Sequence, residues 1–197
     1  MKRKALVTAF VALGFGWALA VAAHAEVAVG DPAPDFELTA TSGEKVKLSA
    51  FQGKRVVLEW INPNCPFSVR HAEKKTLQGI ADRHPEVVFL AINSTNPNHR
   101  DYLKPEDHLK YQQQQGIKYP VLYDSDGKVG KLYGAKTTPH MFVIDEHGKV
   151  AYAGAIDDDP RGGGAKVNYV EKALQALAAG QKPEPASTKP YGCSVKY

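Results

Sequence analysis

The feature that most constrains this chain is the run Val56-Val57-Leu58-Glu59-Trp60-Ile61, which is apolar at every position but one. Successive side chains on a strand point to opposite faces, so a strand that is apolar at both parities has to be covered on both sides. Val87 to Ile92 repeats the pattern. Two such strands require helices above and below them, which predicts an α/β sandwich built on a mixed central sheet.

The segments around these strands supply the cover. Asn62-Pro63-Asn64 ends the first strand, and one helix is expected from Pro66 to the His84-Pro85 stop, with Val69, Ala72, Thr76, Leu77 and Ile80 on one face. A second helix is expected from about Pro105 to Gln115, with Gly116 as its terminator, and Val121 to Tyr123 reads as an added strand. Met141 to Asp145 and Lys149 to Gly154 flank Glu146-His147-Gly148 and predict a hairpin. Val167, Val170, Leu174, Leu177 and Ala178 give a last helix. Upstream, Phe36 to Thr39 and Val46 to Leu48, joined across Ser42-Gly43, form an amino-terminal hairpin extension. Asp157-Asp158-Asp159, followed by Pro160 and three glycines, reads as a solvated mobile loop more readily than as a calcium site.

The two ends differ from the body. Lys2-Arg3-Lys4, the uncharged run Ala5 to Ala23 and the small-x-small pattern Ala23-His24-Ala25 have the order of a signal peptide over residues 1–25, cleaved before Glu26. An uncleaved membrane anchor is the alternative, and either places the folded part in an oxidising compartment, the periplasm. Residues 26–180 then form the domain, and residues 181–197, with Pro183, Pro185 and Pro190, an extended tail. The formal net charge of +4 is concentrated in the leader, so the body is nearly neutral and lacks the dense cationic surface that nucleic-acid binding needs. Two cysteines exclude a disulfide-dense scaffold and a four-thiolate zinc site.

Those cysteines carry the chemistry. Cys65 falls where a buried strand gives way to a helix, and the free N–H groups and positive dipole end of that helix favour a thiolate. Arg70 and His71 are nearby cations able to stabilise it further. The competing reading of Cys65 is a half-cystine or an inert buried thiol. Glu59, inside an apolar strand, would be pushed toward neutrality by burial and could relay protons to and from sulfur, unless it sits on a solvated edge. Cys65, His71, His140 and Met141 could instead hold copper or zinc in a non-catalytic binding module, although their spacing matches no dedicated ligand motif. No cofactor is expected.

Gly30-Asp31-Pro32-Ala33-Pro34-Asp35-Phe36, the segment from Trp60 to His71 around Cys65, Thr138-Pro139 before a strand, Ile156-Asp157-Asp158, and the closing Gly192-Cys193-Ser194 together resemble the redoxin superfamily. The likeness is to its thioredoxin-like peroxiredoxin branch, the alkyl hydroperoxide reductase and thiol-specific antioxidant (AhpC/TSA) proteins. It implies a thioredoxin fold and a Cys65 thiolate that attacks a disulfide sulfur, of a protein or a small molecule, or a hydroperoxide oxygen. It also implies an external thiol reductant. Thr138 and Pro139 correspond to the family's cis-proline loop, and with Pro66 and Phe67 they would contact substrate. Where peroxiredoxins carry the Pro and Thr that polarise a peroxide, seven and three residues before the cysteine, this chain has Leu58 and Asn62. Where disulfide reductases carry a second cysteine, it has Ser68. The remaining candidate for a resolving thiol is Cys193: at about 3.1 Å per residue an extended tail from Gly180 reaches roughly 40 Å. A permanent Cys65–Cys193 clamp and an unpaired Cys193 remain the other readings.

Overall fold

The computed structural model describes residues 26–197; the proposed signal peptide lies outside the described residues. The apolar run becomes β3 (Val56–Trp60), buried at all five positions, and Val88–Asn93 becomes β4, parallel to it. β1 (Glu37–Ala40), β2 (Lys45–Lys47), β5 (Val121–Tyr123), β7 (His140–Ile144) and β8 (Val150–Gly154) complete a seven-stranded sheet in the order β2-β1-β5-β4-β3-β7-β8. The pairs β3–β4 and β4–β5 are parallel and the others antiparallel, so the sheet is mixed as expected. The amino-terminal hairpin is part of this sheet, since Thr39 pairs with Tyr123 across β1 and β5.

Parity on β3 divides the core. Val57 and Ile61 face a cluster with Leu77 and Ile80 of α2 (Thr76–Arg83) and Val170, Ala173 and Leu174 of α5 (Tyr169–Ala178), with Tyr111 of α3 (Pro105–Gln114) packed against it. Leu58 and Trp60 face the opposite cluster, with Leu90, Ile92, Phe142 and Tyr133 of α4 (Lys128–Tyr133). Trp60 packs against both Tyr133 and Phe142 with ring centroids 5.3 and 5.2 Å apart. Its indole N–H donates to Ser94 at 3.0 Å, and Ser94 donates to the Asp124 carboxylate at 2.6 Å. No buried polar end of this side chain is therefore left unpaired.

Three expectations need correction. The single helix from Pro66 is two helices, α1 (Pro66–Glu73) and α2, separated at Lys75, which takes φ 51°. The break lets the Thr76 hydroxyl meet His71 Nδ1 at 3.2 Å and the Gln78 amide donate to the Ala72 carbonyl at 3.2 Å, bonds a continuous helix would not offer. The acidic loop is largely exposed, as expected, but its backbone is tied down. Asp159 accepts the backbone N–H groups of Gly162, Gly163 and Gly164, Asp158 accepts those of Lys166 and Val167, and Asp157 is buried. The tail is extended but pinned: Thr188 Oγ1 accepts from the Ala155 N–H at 2.9 Å, and Asn96 N–H donates to the Lys196 carbonyl at 2.6 Å. Near its end β9 (Cys193–Ser194) pairs antiparallel with β6 (Thr137–Thr138) in a second, two-stranded sheet.

Candidate active site

Cys65 is the N-cap of α1, with Pro66 at the first helical position, where its missing N–H costs nothing. Its carbonyl accepts the first helical bond from Val69 at 3.0 Å. The loop before it is held by Asn62, whose side chain donates to Thr95 Oγ1 at 3.1 Å and accepts from the Asn64 N–H at 2.7 Å. The thiol is 2% exposed. It donates to the Thr138 carbonyl at 2.9 Å, immediately before the cis peptide bond to Pro139. The Thr138 hydroxyl is buried and has no hydrogen-bond partner.

The strand pair β6–β9 sets Cys193 directly opposite Thr138, whose carbonyl accepts from Cys65, so the two free thiols come close enough to influence each other's ionisation. This proximity separates them electrically. Burial pushes the Cys65 thiol up, but interactions with the Cys193 thiol, the Thr138 side chain and the Ser68 and Cys193 amides outweigh it and hold Cys65 below the usual thiol range. Cys193 is pushed up to about 11 by burial and by its thiol's interaction with Cys65. Of the two, Cys65 is the thiol biased toward ionisation and Cys193 the one that keeps its proton.

Glu59 is 3% exposed, between Ala91 of β4 and Met141 of β7. Burial raises its pKa to about 7, and a hydrogen bond from Tyr119 at 3.2 Å only partly opposes this. Glu59 shares a narrow crevice with Ile61, His71, Leu77, Gln78 and Tyr119. Tyr111, whose buried hydroxyl has no partner, lies close enough to both Glu59 and Cys65 for their charges to oppose its ionisation.

The other residues singled out in the sequence fall in two groups. Thr138, Pro139 and Pro66 meet at Cys65, while Phe67 packs against Tyr191 of the tail at 6.0 Å between centroids. Arg70 and His71 are on α1 but have no hydrogen bond to the Cys65 sulfur. Arg70 donates to the carbonyls of Asp159 at 3.0 Å and Pro160 at 3.2 Å, and His71 bonds to Thr76 and Tyr191. Among the described residues no three His, Cys, Asp or Glu side chains gather as metal ligands; His140 instead accepts the Lys136 N–H and packs on Phe142 at 4.6 Å. Tyr191, Tyr119 and Tyr111 were not legible as site residues, because their roles depend on partners distant in sequence.

The AhpC/TSA family model matches residues 29–153. The chain is 30% identical over 129 residues to the thiol-disulfide oxidoreductase ResA of Bacillus thuringiensis, covering 62% of this chain and 66% of that one, just under two thirds of the relative's length. An uncharacterized conserved protein of Geobacillus kaustophilus has a similar solved structure, with TM-score 0.78 and 32% identity over 86% of this chain and 92% of that one. A hypothetical protein of Sinorhizobium meliloti is similar at TM-score 0.77 and 25% identity, covering 88% of this chain and 96% of that one. With a thioredoxin-like sheet, a helix-capping cysteine and a cis-proline loop beside it, the chain belongs to the AhpC/TSA family.

Proposed function

We propose that this protein is a thiol–disulfide oxidoreductase of an extracytoplasmic compartment, in which Cys65 attacks a disulfide sulfur and Cys193 resolves the product. The observation that carries this reading is the register Thr138↔Cys193, which sets the chain's two thiols against each other beside the cis-proline loop. With the tail docked Cys65 is sealed, so a protein disulfide reaches it only when the Cys193 segment is lifted. The Cys65 thiolate then bonds to one substrate sulfur and the other leaves as a thiolate. On return of the tail, Cys193 attacks Cys65 Sγ, the Cys65–Cys193 bond forms, and the substrate's second sulfur leaves with the Cys193 proton. The substrate is reduced by two electrons and the enzyme oxidised by two, to be restored by an external dithiol.

Disulfides are favoured over peroxides for a structural reason. Leu58, at one of the two peroxide-polarising positions, points into the opposite core cluster, and Asn62, at the other, is committed to Thr95 and Asn64. Arg70, the arginine nearest in sequence after Cys65, donates to backbone carbonyls and not to the sulfur. Glu59, poised near neutrality, serves as proton relay, and Tyr111 lies close enough to feel the charges of both Glu59 and Cys65.

Cys193→Ser should trap a mixed disulfide at Cys65 with a protein disulfide substrate, visible as an added mass that reductant removes. Turnover unchanged from wild type, with nothing trapped, would assign resolution to an external thiol. Glu59→Gln should slow turnover about tenfold, near the low end of general acid–base effects. The same variant tests burial. With a native pKa of about 7 against 4.5, the native state retains a proton that the unfolded state loses, so stability falls as pH rises through that window, by about 3 kcal/mol. Urea unfolding at pH 4.5 and pH 8 should show this loss in wild type and not in Glu59→Gln; equal pH dependence would mean the carboxylate ionises normally. For the compartment, amino-terminal sequencing of the exported protein should begin at Glu26, and a retained Met1 in the membrane fraction would indicate an anchor.

A further inference from the structure

The tail does more than carry Cys193. Two residues before it, Tyr191 is held on three sides. Its hydroxyl donates to the Asp157 carboxylate, and His71 Nε2 lies 3.0 Å from the same oxygen. Since the phenol proton goes to Asp157, the imidazole must donate, which requires the Nε2–H tautomer with Nδ1 accepting from the Thr76 hydroxyl. Burial holds His71 below its usual range, consistent with a neutral ring. The Tyr191 ring lies against Phe67, 6.0 Å between centroids, and under the Arg70 guanidinium at 5.9 Å. Arg70 in turn is fixed to the Asp159 and Pro160 carbonyls, so the clamp unites α1 with the acidic loop.

Between Tyr191 and Cys193 stands Gly192, at φ 144°, where a Cβ atom would sit 2.1 Å from the Thr138 carbonyl oxygen. The backbone there passes too close to the cis-proline loop for any side chain. Tyr191 therefore fixes where the tail enters, Gly192 allows the close pass, and Cys193 emerges opposite Thr138. These contacts are all noncovalent and need no bond between Cys65 and Cys193.

We infer that Tyr191, clamped by Asp157 and His71, is a positioning residue for the resolving step: it sets the register that presents Cys193 to Cys65. This rests on the proposed disulfide exchange. In the step concerned the Cys193 sulfur bonds to Cys65 Sγ, the bond from Cys65 to the substrate sulfur breaks, and the departing thiolate takes the Cys193 proton. A docked tail raises the effective concentration of Cys193 at Cys65, and a loosened one lowers it toward that of a flexible tether.

The test uses the reduced mature protein with one equivalent of an aromatic disulfide whose released thiolate is coloured. Wild type should release one equivalent in a phase that depends on reagent concentration, then a second in a phase that does not, as Cys193 closes on Cys65. Tyr191→Phe keeps the ring and removes the hydroxyl bonded to a charged carboxylate; it should slow the second phase about tenfold or more while the first is no slower. Tyr191→Ala, which also loses the Phe67 and Arg70 contacts, should slow it further. A general loss of structure would not confine its effect to the concentration-independent phase. Wild-type second phases in both variants would overturn the positioning role and leave the exchange reaction standing. Absence of a second phase in wild type would instead sink the proposed resolution by Cys193.

Discussion

The structure depends on one short antiparallel pairing, two residues long, between the carboxyl-terminal tail and the loop that ends in Pro139. Without it the Cys65 thiol would have the Thr138 carbonyl and the helix terminus as its surroundings and no second sulfur. With it, a buried thiol acquires a neighbour that lowers its pKa and is itself raised, so the pair divides into a nucleophile and a proton-bearing partner. Two backbone-paired residues cannot hold a tail in place alone. The remaining anchors are spread along it: Thr188 against Tyr152 and Ala155, Tyr191 in its clamp, and Tyr197 donating to the Ala135 carbonyl at 2.7 Å under a Lys131 cation.

Glu59 is tolerated in a strand that is otherwise apolar because it need not be charged. A carboxylate ionised at that depth would be strongly destabilising, and the protein offers one tyrosine hydroxyl as partner where a stably charged group would need several. The outcome is a group that is half protonated near neutral pH, the condition that the proposed proton relay needs. The fully buried Leu58, Trp60 and Val57 around it supply apolar burial that offsets the cost of placing a carboxyl there.

Much of this was legible in the sequence, and the boundary between what was and was not is physical. Double-sided burial of Val56 to Ile61 and Val88 to Ile92 is written in composition, so the layers follow from it. Cys65 at a strand–helix junction and Glu59 in an apolar run are local patterns of the same kind. The break at Lys75 was not readable, because it is stabilised by Thr76 and Gln78 side chains whose partners appear only once α1 is placed. The β6–β9 pairing was not readable either: Cys193-Ser194 is too short for any periodicity, and its partner lies 55 residues earlier. Tyr191 gave one faint sign, its place two residues before a cysteine and next to a glycine, which acquires meaning only with Asp157 and His71 beside it.

If Cys65 and Cys193 form a working redox couple and not a permanent clamp, the reduction potential of the pair is the most direct measure of it. Equilibration of the mature protein with glutathione or dithiothreitol buffers, read by alkylation of free thiols, gives that value. A potential in the range of about −120 to −270 mV, where exchange catalysts operate, is the result the geometry predicts. A value below about −300 mV would mark a structural bridge and contradict it.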